Sequence, residues 1–137
     1  MRTALDTNVL SAILDDEPTA MKLVETLAEA KAAGSISICG VAFAEALGHP
    51  LATESSVRRF LEATGIEIDF ELGEKVWVEA GRRYAKYLVR RRRSPDISSK
   101  RLLADFIIGA HALVEADRLI TLDKGRYERD FPELKLV

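Results

Sequence analysis

Short apolar runs of strand length alternate along this chain with stretches whose apolar positions recur every three or four residues, a pattern that predicts an α/β domain with a mostly parallel sheet. The first strand is expected over Arg2 to Asp6, with Thr7 or Asn8 capping a short helix that carries Val9, Leu10, Ile13 and Leu14. Asp15-Asp16-Glu17-Pro18 reads as the start of a second helix, presenting Met21, Val24, Leu27 and Ala28 on one face and ending before Gly34. A second strand, Ile36 to Cys39, leads into an alanine-rich helix from Val41 to Leu47. A helix over about Ser55 to Ala63 turns Val57, Phe60 and Leu61 inward, Gly65 breaks it, and Ile66 to Phe70 alternates as a third strand.

The longest helix is expected from Leu72 to Arg93, with Val76, Trp77, Ala80, Tyr84, Tyr87 and Leu88 on one side and most of its basic residues on the other. That placement makes its aromatics core residues rather than a platform for stacking bases. A polar loop from Arg91 to Ser99, broken by Pro95, precedes a helix opened by Ser98 or Ser99 and running to about Ala116. Gly109, Ala110 and Ala112 give that helix a small-residue surface suited to close approach. A fourth strand from Arg118 to Leu122, a short helix around Arg126 to Asp130 and a terminal strand from Leu134 to Val137 complete the pattern.

Composition narrows the class without naming a chemistry. At 137 residues, 47% hydrophobic and 31% charged, the sequence predicts one globular domain spanning 1–137. No stretch approaches the roughly 20 apolar residues of a membrane span. The first strand begins at once after Met1, where a signal peptide would lie. The single cysteine, Cys39, follows an apolar alternation and reads as a small buried hydrophobe, so a reducing, cytoplasmic compartment is expected. Charge is more informative in its distribution than in its total of −2. Residues 82–101 hold Arg82, Arg83, Lys86, Arg90, Arg91, Arg92, Arg93, Lys100 and Arg101 against the single acid Asp96, a segment at +8 that leaves −10 for the remainder. Such a split suits a polyanion-binding surface beside an acidic site, although a charged helix face is ordinarily just solvated and could also meet an acidic protein partner.

Four acids stand at strand ends or on helices next to them: Asp6, Glu45, Asp105 and Asp123. Each has an ordinary explanation. Asp6 could cap the following helix, and Asp123 could be a turn acid. Glu45, between Ala44 and Ala46, and Asp105, between Ala104 and Phe106, lie in apolar helices, where a carboxylate is costly unless it meets water, a partner or a metal. Together they place four carboxylates at the edge where parallel sheets bind ligands, and mutual repulsion there calls for a divalent cation. His49 and His111 are the only histidines, and His111 falls on a different helical face from Asp105. No His/Cys zinc cluster, glycine-rich phosphate loop or Ser-His-Asp set is evident.

These segments resemble a known family. Leu5-Asp6-Thr7-Asn8-Val9-Leu10 looks like the opening motif of PIN-domain nucleases, and Val41-Ala42-Phe43-Ala44-Glu45 is similar to their second. Ala104-Asp105-Phe106-Ile107-Ile108-Gly109-Ala110-His111-Ala112 is similar to the third, and Ile120-Thr121-Leu122-Asp123 with Phe131-Pro132-Glu133-Leu134 resembles the closing segment. The order is right and the match covers nearly the whole chain. In length the chain looks most like the VapC toxins of toxin–antitoxin pairs.

The resemblance implies a three-layer α/β/α sandwich with a central, mostly parallel sheet of four to five strands. It implies a ribonuclease whose Asp6, Glu45, Asp105 and Asp123 ligate one or two Mg²⁺ or Mn²⁺ ions, with Asn8 and Thr121 in support. It also implies an RNA substrate, a small antitoxin and a homodimer or larger assembly. The one departure is Gly40, where many relatives carry a hydroxyl residue before the glutamate helix. The donor chemistry agrees, because carboxylate oxygens select hard cations over zinc. Two rivals stand beside it: a catalytically inactive PIN-like RNA-binding or scaffold module, and an Asp-based phosphotransfer protein. The second is disfavoured by Asn8, where a second aspartate would be wanted.

Overall fold

The computed structural model describes residues 1–94 and 101–137; the helix start expected at Ser98 or Ser99, and Lys100, lie outside the described residues. Its elements in chain order are β1 (Arg2–Leu5), α1 (Thr7–Leu14), α2 (Ala20–Ala33), β2 (Ser35–Cys39), α3 (Gly40–Leu47), α4 (Glu54–Thr64), β3 (Ile66–Asp69), α5 (Glu74–Arg93), α6 (Leu103–Glu115), β4 (Arg118–Ile120) and α7 (Gly125–Glu128). They build a three-layer α/β/α sandwich around a four-stranded sheet of order β3-β2-β1-β4. Every strand pair is parallel: Thr3 stands opposite Ile36 on one side and Arg118 on the other, and Ile36 opposite Ile66.

This order positions the site. From β1 the chain adds β2 and then β3 on one side, before α5 and α6 carry it back to place β4 on the other. The carboxyl edge between β1 and β4 is therefore a topological switch point, where connections leave in opposite directions and open a crevice. Asp6 follows β1, and Asp123 lies three residues after β4.

The sheet is covered on both faces, and its central positions are apolar: Ala4, Leu5, Ile36, Ile38, Leu119 and Ile120 are all buried. Cys39 joins them as the expected small hydrophobe, and burial pushes its thiol pKa up. The α4 helix opens on a reciprocal cap, Thr53 Oγ1 accepting from Ser56 N and Ser56 Oγ from Thr53 N, each at 3.0 Å. It closes on Gly65 at φ 69°, a left-handed position that glycine adopts without steric cost.

The structure corrects several local expectations. Asp15 to Glu17 close α1 instead of opening α2: the Asp15 N–H donates to Ser11 O, and α2 begins only at Ala20. The buried face of α2 is Ala20, Leu23, Leu27 and Ala30, so Met21, Val24 and Ala28 face solvent. Several apolar stripes were compatible with the 3.6-residue repeat, and packing selected the one containing small alanines at both ends. On α5, Val76, Ala80 and Tyr87 are buried as expected, but Trp77 is half exposed, its indole Nε1 donating to Leu72 O at 3.0 Å. The C-terminal segment runs parallel beside β4 through a single Leu119–Leu136 bridge instead of a full ladder. Leu119 N donates to Lys135 O and Val137 N to Leu119 O, both at 2.9 Å.

Helices α5 and α6 pack together through an aromatic chain. The rings of Tyr84 and Tyr87 lie 5.3 and 5.4 Å from that of Phe106, which continues to Phe131 at 6.1 Å and on to Tyr127 at 6.2 Å from Phe131. These contacts anchor the residues after Asp123 to the helix that carries Asp105. Gly109 makes the approach possible, since a Cβ there would lie 2.6 Å from the Phe131 ring.

Candidate active site

Asp6 occupies the N-cap position of α1, yet its side chain makes no capping bond. It is 1% exposed, and its Oδ2 accepts from the Thr121 hydroxyl at 2.9 Å and from the Tyr127 phenol at 2.8 Å. The simple capping role is therefore excluded. A carboxylate buried to this degree is tolerated because two donors converge on it. The same geometry determines the state of Tyr127, whose pKa burial and then the Asp6 charge push far above the usual phenol range.

Thr121 is the centre of this network. Its Oγ1 donates to Asp6 and accepts from Asn8 Nδ2 at 3.3 Å and from the Asp123 backbone N–H at 3.1 Å. Asn8 Oδ1 in turn accepts from Leu122 N at 3.2 Å. Asn8 and Thr121 thus join the segments that follow β1 and β4, and hold Asp6 and the start of the Asp123 turn in one register.

Asp105 sits at the third position of α6 and is 8% exposed. One oxygen, Oδ2, accepts from Leu102 N at 3.1 Å and so closes the helix start. The other accepts from Arg126 Nη1 at 3.3 Å, while Arg126 Nε stands 3.4 Å from Asp123 Oδ2. Burial opposes the charge of Arg126, but Asp105, Asp6 and Asp123 outweigh it and raise its pKa. Asp105 and Asp123 therefore flank one guanidinium, and the charge of Asp6 also favours it. Glu45 is exposed on α3, and its Oε1 accepts from Thr7 Oγ1 at 2.8 Å, which ties it to the residue next to Asp6.

Among the described residues, no group of three or more His, Cys, Asp or Glu side chains stands close enough together to hold a metal ion. The guanidinium between Asp105 and Asp123 accounts for their spacing: it already supplies the counter-charge. The donor set nevertheless fits a hard divalent cation, being all carboxylate oxygen, and the carboxylates already hold one positive group in their midst. His111 does not belong to this set. It is buried on α6 with Nε2 3.2 Å from Asp69 Oδ2, and desolvation, opposed by Asp69, lowers its pKa.

Three residues of the site escaped the sequence reading: Arg126, Tyr127 and Asp130. Arg126 had a local signal, three positions after Asp123 on a short helix. Tyr127 and Asp130 had none, because their partners are distant in sequence. Asp130, 8% exposed, accepts from Arg90 Nη2 and Arg101 Nη1, each at 3.0 Å. The basic segment is thus partly engaged within the protein. Arg82 and Arg83 pair with Glu79, and Arg83 also holds Glu133 and the Asp130 carbonyl. Lys86, Arg92 and Arg93 are exposed, and Arg91 Nη1 donates to the Tyr87 hydroxyl at 3.3 Å.

A parallel four-stranded sandwich with acids gathered at its switch point defines a small α/β protein of nuclease-like architecture. The PIN domain family model matches residues 3–132, and the chain belongs to that family. No curated protein sequence matches it significantly. Among solved structures it resembles a chain of VapBC2 from Rickettsia felis bound to a DNA fragment from its promoter, at 21% identity and a TM-score of 0.66, covering 100% of this chain and 98% of the other. It also resembles a chain of VapBC-1 from nontypeable Haemophilus influenzae, at 16% identity and a TM-score of 0.64, covering 100% and 97%. At these identities the likeness is one of fold. No helix among the described residues is long and apolar enough to cross a membrane.

Proposed function

We propose that this chain is a metal-dependent endoribonuclease, the toxin of a VapBC-type toxin–antitoxin pair. The observation that carries the reading is the pairing of Asp105 and Asp123 with one guanidinium at the switch point of the sheet, where Thr121 links buried Asp6 to the Asp123 turn. Asp6, Asp105 and Asp123, with Glu45 directly or through water, would hold one or two Mg²⁺ or Mn²⁺ ions. Such an ion lowers the pKa of a bound water and offsets negative charge at the phosphorus during hydrolysis.

The chain's own residues prepare this chemistry. Tyr127 and Thr121 both donate to Asp6 Oδ2, which fixes the carboxylate plane and leaves Oδ1 for ligation. Asn8 orients the Thr121 hydroxyl, so it acts as a positioning residue. Arg126 carries positive charge beside the acids, where it can approach a substrate phosphate. A small antitoxin and a second copy of the chain are the partners this reading calls for.

The test incubates the purified protein with total RNA in Mn²⁺, Mg²⁺ or EDTA, alongside Asp6→Asn and Asp105→Asn. Cleavage with Mn²⁺ or Mg²⁺ that EDTA and both substitutions abolish is expected. Cleavage that persists in EDTA, or equally in both variants, sinks the proposal. Growth arrest on expression, relieved by co-expressing a small neighbouring protein, is the expected sign of a toxin. The absence of a ready-made acid cluster among the described residues favours one alternative, an inactive RNA-binding module. Salt-dependent RNA binding without cleavage under any metal condition would decide for it.

A further inference from the structure

Beside the carboxylates lies a cavity of about 330 Å³ whose walls include Arg90, Arg91, Arg101, Arg126 and Arg129. Among the described residues the acids that line it are Asp123 and Asp130, so five guanidiniums face two carboxylates. Asp130 is buried and clamps Arg90 and Arg101, which sets the direction of both forks instead of neutralising the cavity. Arg101 has a further peculiarity. Among the described residues its Nε and Nη2 are buried without a hydrogen-bond partner, Nε lying 3.8 Å from Asp105 Oδ2. Its guanidinium stacks over the rings of Phe106 and Tyr127, at 5.0 and 5.8 Å from their centroids.

A buried guanidinium with unmatched N–H groups bears a desolvation cost that an incoming acceptor relieves. Arginine forks match the oxygens of a phosphate in two-point contacts. Arg91 and Arg129 stand at the same cavity, and neither forms an ion pair among the described residues. Because Asp123 and Arg126 belong both to this cavity and to the acidic site, an anion bound here lies immediately next to the carboxylates.

We infer that this cavity is a phosphate subsite for single-stranded RNA, holding a backbone phosphate that flanks the bond presented to the carboxylates. Arg91, Arg101 and Arg129 contact the phosphate, and Asp130 is a positioning residue that aims Arg101. The inference rests on the nuclease reading for its substrate, but its measurement does not depend on cleavage.

The experiment measures binding of a fluorescein-labelled single-stranded RNA oligonucleotide by anisotropy in EDTA, over a series of salt concentrations. The full chain is compared with the double variant Arg91→Ala/Arg129→Ala, with Arg91→Lys/Arg129→Lys, and with Arg59→Ala, an exposed arginine on α4. Circular dichroism melting confirms that each variant is folded. The double alanine variant is expected to bind about tenfold more weakly and to lose about 0.7 from the salt slope, the share of the one phosphate held in the cavity. The lysine variant should recover the slope, and Arg59→Ala should match the parent. Equal affinity and slope in the parent and the double alanine variant would overturn the subsite. So would variant-sensitive binding of inorganic phosphate or of a polyglutamate peptide alone, with RNA indifferent to the substitutions. Variant-sensitive RNA binding by a protein that never cleaves RNA keeps the subsite and removes the nuclease reading, whereas cleavage with variant-insensitive binding does the reverse.

Discussion

Arg126 Nη1 lies 3.3 Å from Asp105 Oδ1, and the same guanidinium reaches Asp123 through Nε at 3.4 Å. The chain thus supplies its own positive charge at the place where the proposed function requires a divalent ion. A divalent ion held by these oxygens would stand beside the Arg126 charge, and the two positive groups would oppose one another.

Removing Arg126 should therefore strengthen metal binding. For Arg126→Ala, calorimetric titration with Mn²⁺ is expected to give an affinity about tenfold higher than the parent, the effect of one charge-assisted pair of roughly 1.4 kcal/mol. The same variant should lose RNA affinity in EDTA, because its charge also faces the arginine-lined cavity. An unchanged or weaker Mn²⁺ affinity would show that Arg126 does not oppose the ion.

Tyr127→Phe removes one of the two donors to Asp6 while preserving the ring contact with Phe131. Asp6 is almost wholly buried, so the loss should cost about 1–3 kcal/mol in urea unfolding. Thr121→Val should cost a similar amount and in addition loosen Asn8 and the Asp123 turn. A variant as stable as the parent would mean that water replaces the lost donor.

Gly109→Ala should destabilise through crowding, not through helix propensity. Alanine is the better helix former, but its Cβ would stand 2.6 Å from the Phe131 ring. A loss of about 1–3 kcal/mol is expected. Shaving the ring in Gly109→Ala/Phe131→Leu should recover part of it, and strict additivity of the two single costs would refute the contact.

His111 makes stability depend on pH. Desolvation lowers its pKa in the folded protein, with the Asp69 carboxylate and more weakly Glu115 opposing. The folded chain then binds fewer protons than the unfolded chain, so this contribution is present above the ordinary histidine pKa of about 6.5 and is lost as pH falls below it. Urea midpoints should drop between pH 7.5 and 5.5, and His111→Gln should flatten the drop. An equal drop in both proteins would assign the effect elsewhere.

The alternation of apolar runs and helical stripes was sufficient for the α/β class and for the order of the elements, because strand and helix periods are local properties of the chain. The positions of the four acids relative to the strands were also legible, but Glu45, expected in apolar surroundings, is exposed. Helix faces were less legible. The α2 pattern admitted two stripes, and only contact with α1 and β2 decided that Leu23 and Ala30 go inward while Met21 and Val24 stay out. The basic segment illustrates the same limit: its charge was plain, but which arginines face a cavity depends on Asp130, a residue 40 positions from Arg90.

What the sequence by itself determined is the sheet, its parallel character and the place of the acids next to strand ends, all set by short-range periodicity. What only the tertiary structure decided is their partnership. Thr121 meets Asp6 across 115 positions and Tyr127 meets it across 121. Arg126 completes the centre only because the aromatic chain from Phe106 to Phe131 and Tyr127 draws the C-terminal segment against α6. Hydrogen bonds and ion pairs act over a few ångströms in space, whatever the separation along the chain, and folding alone sets which groups come that close.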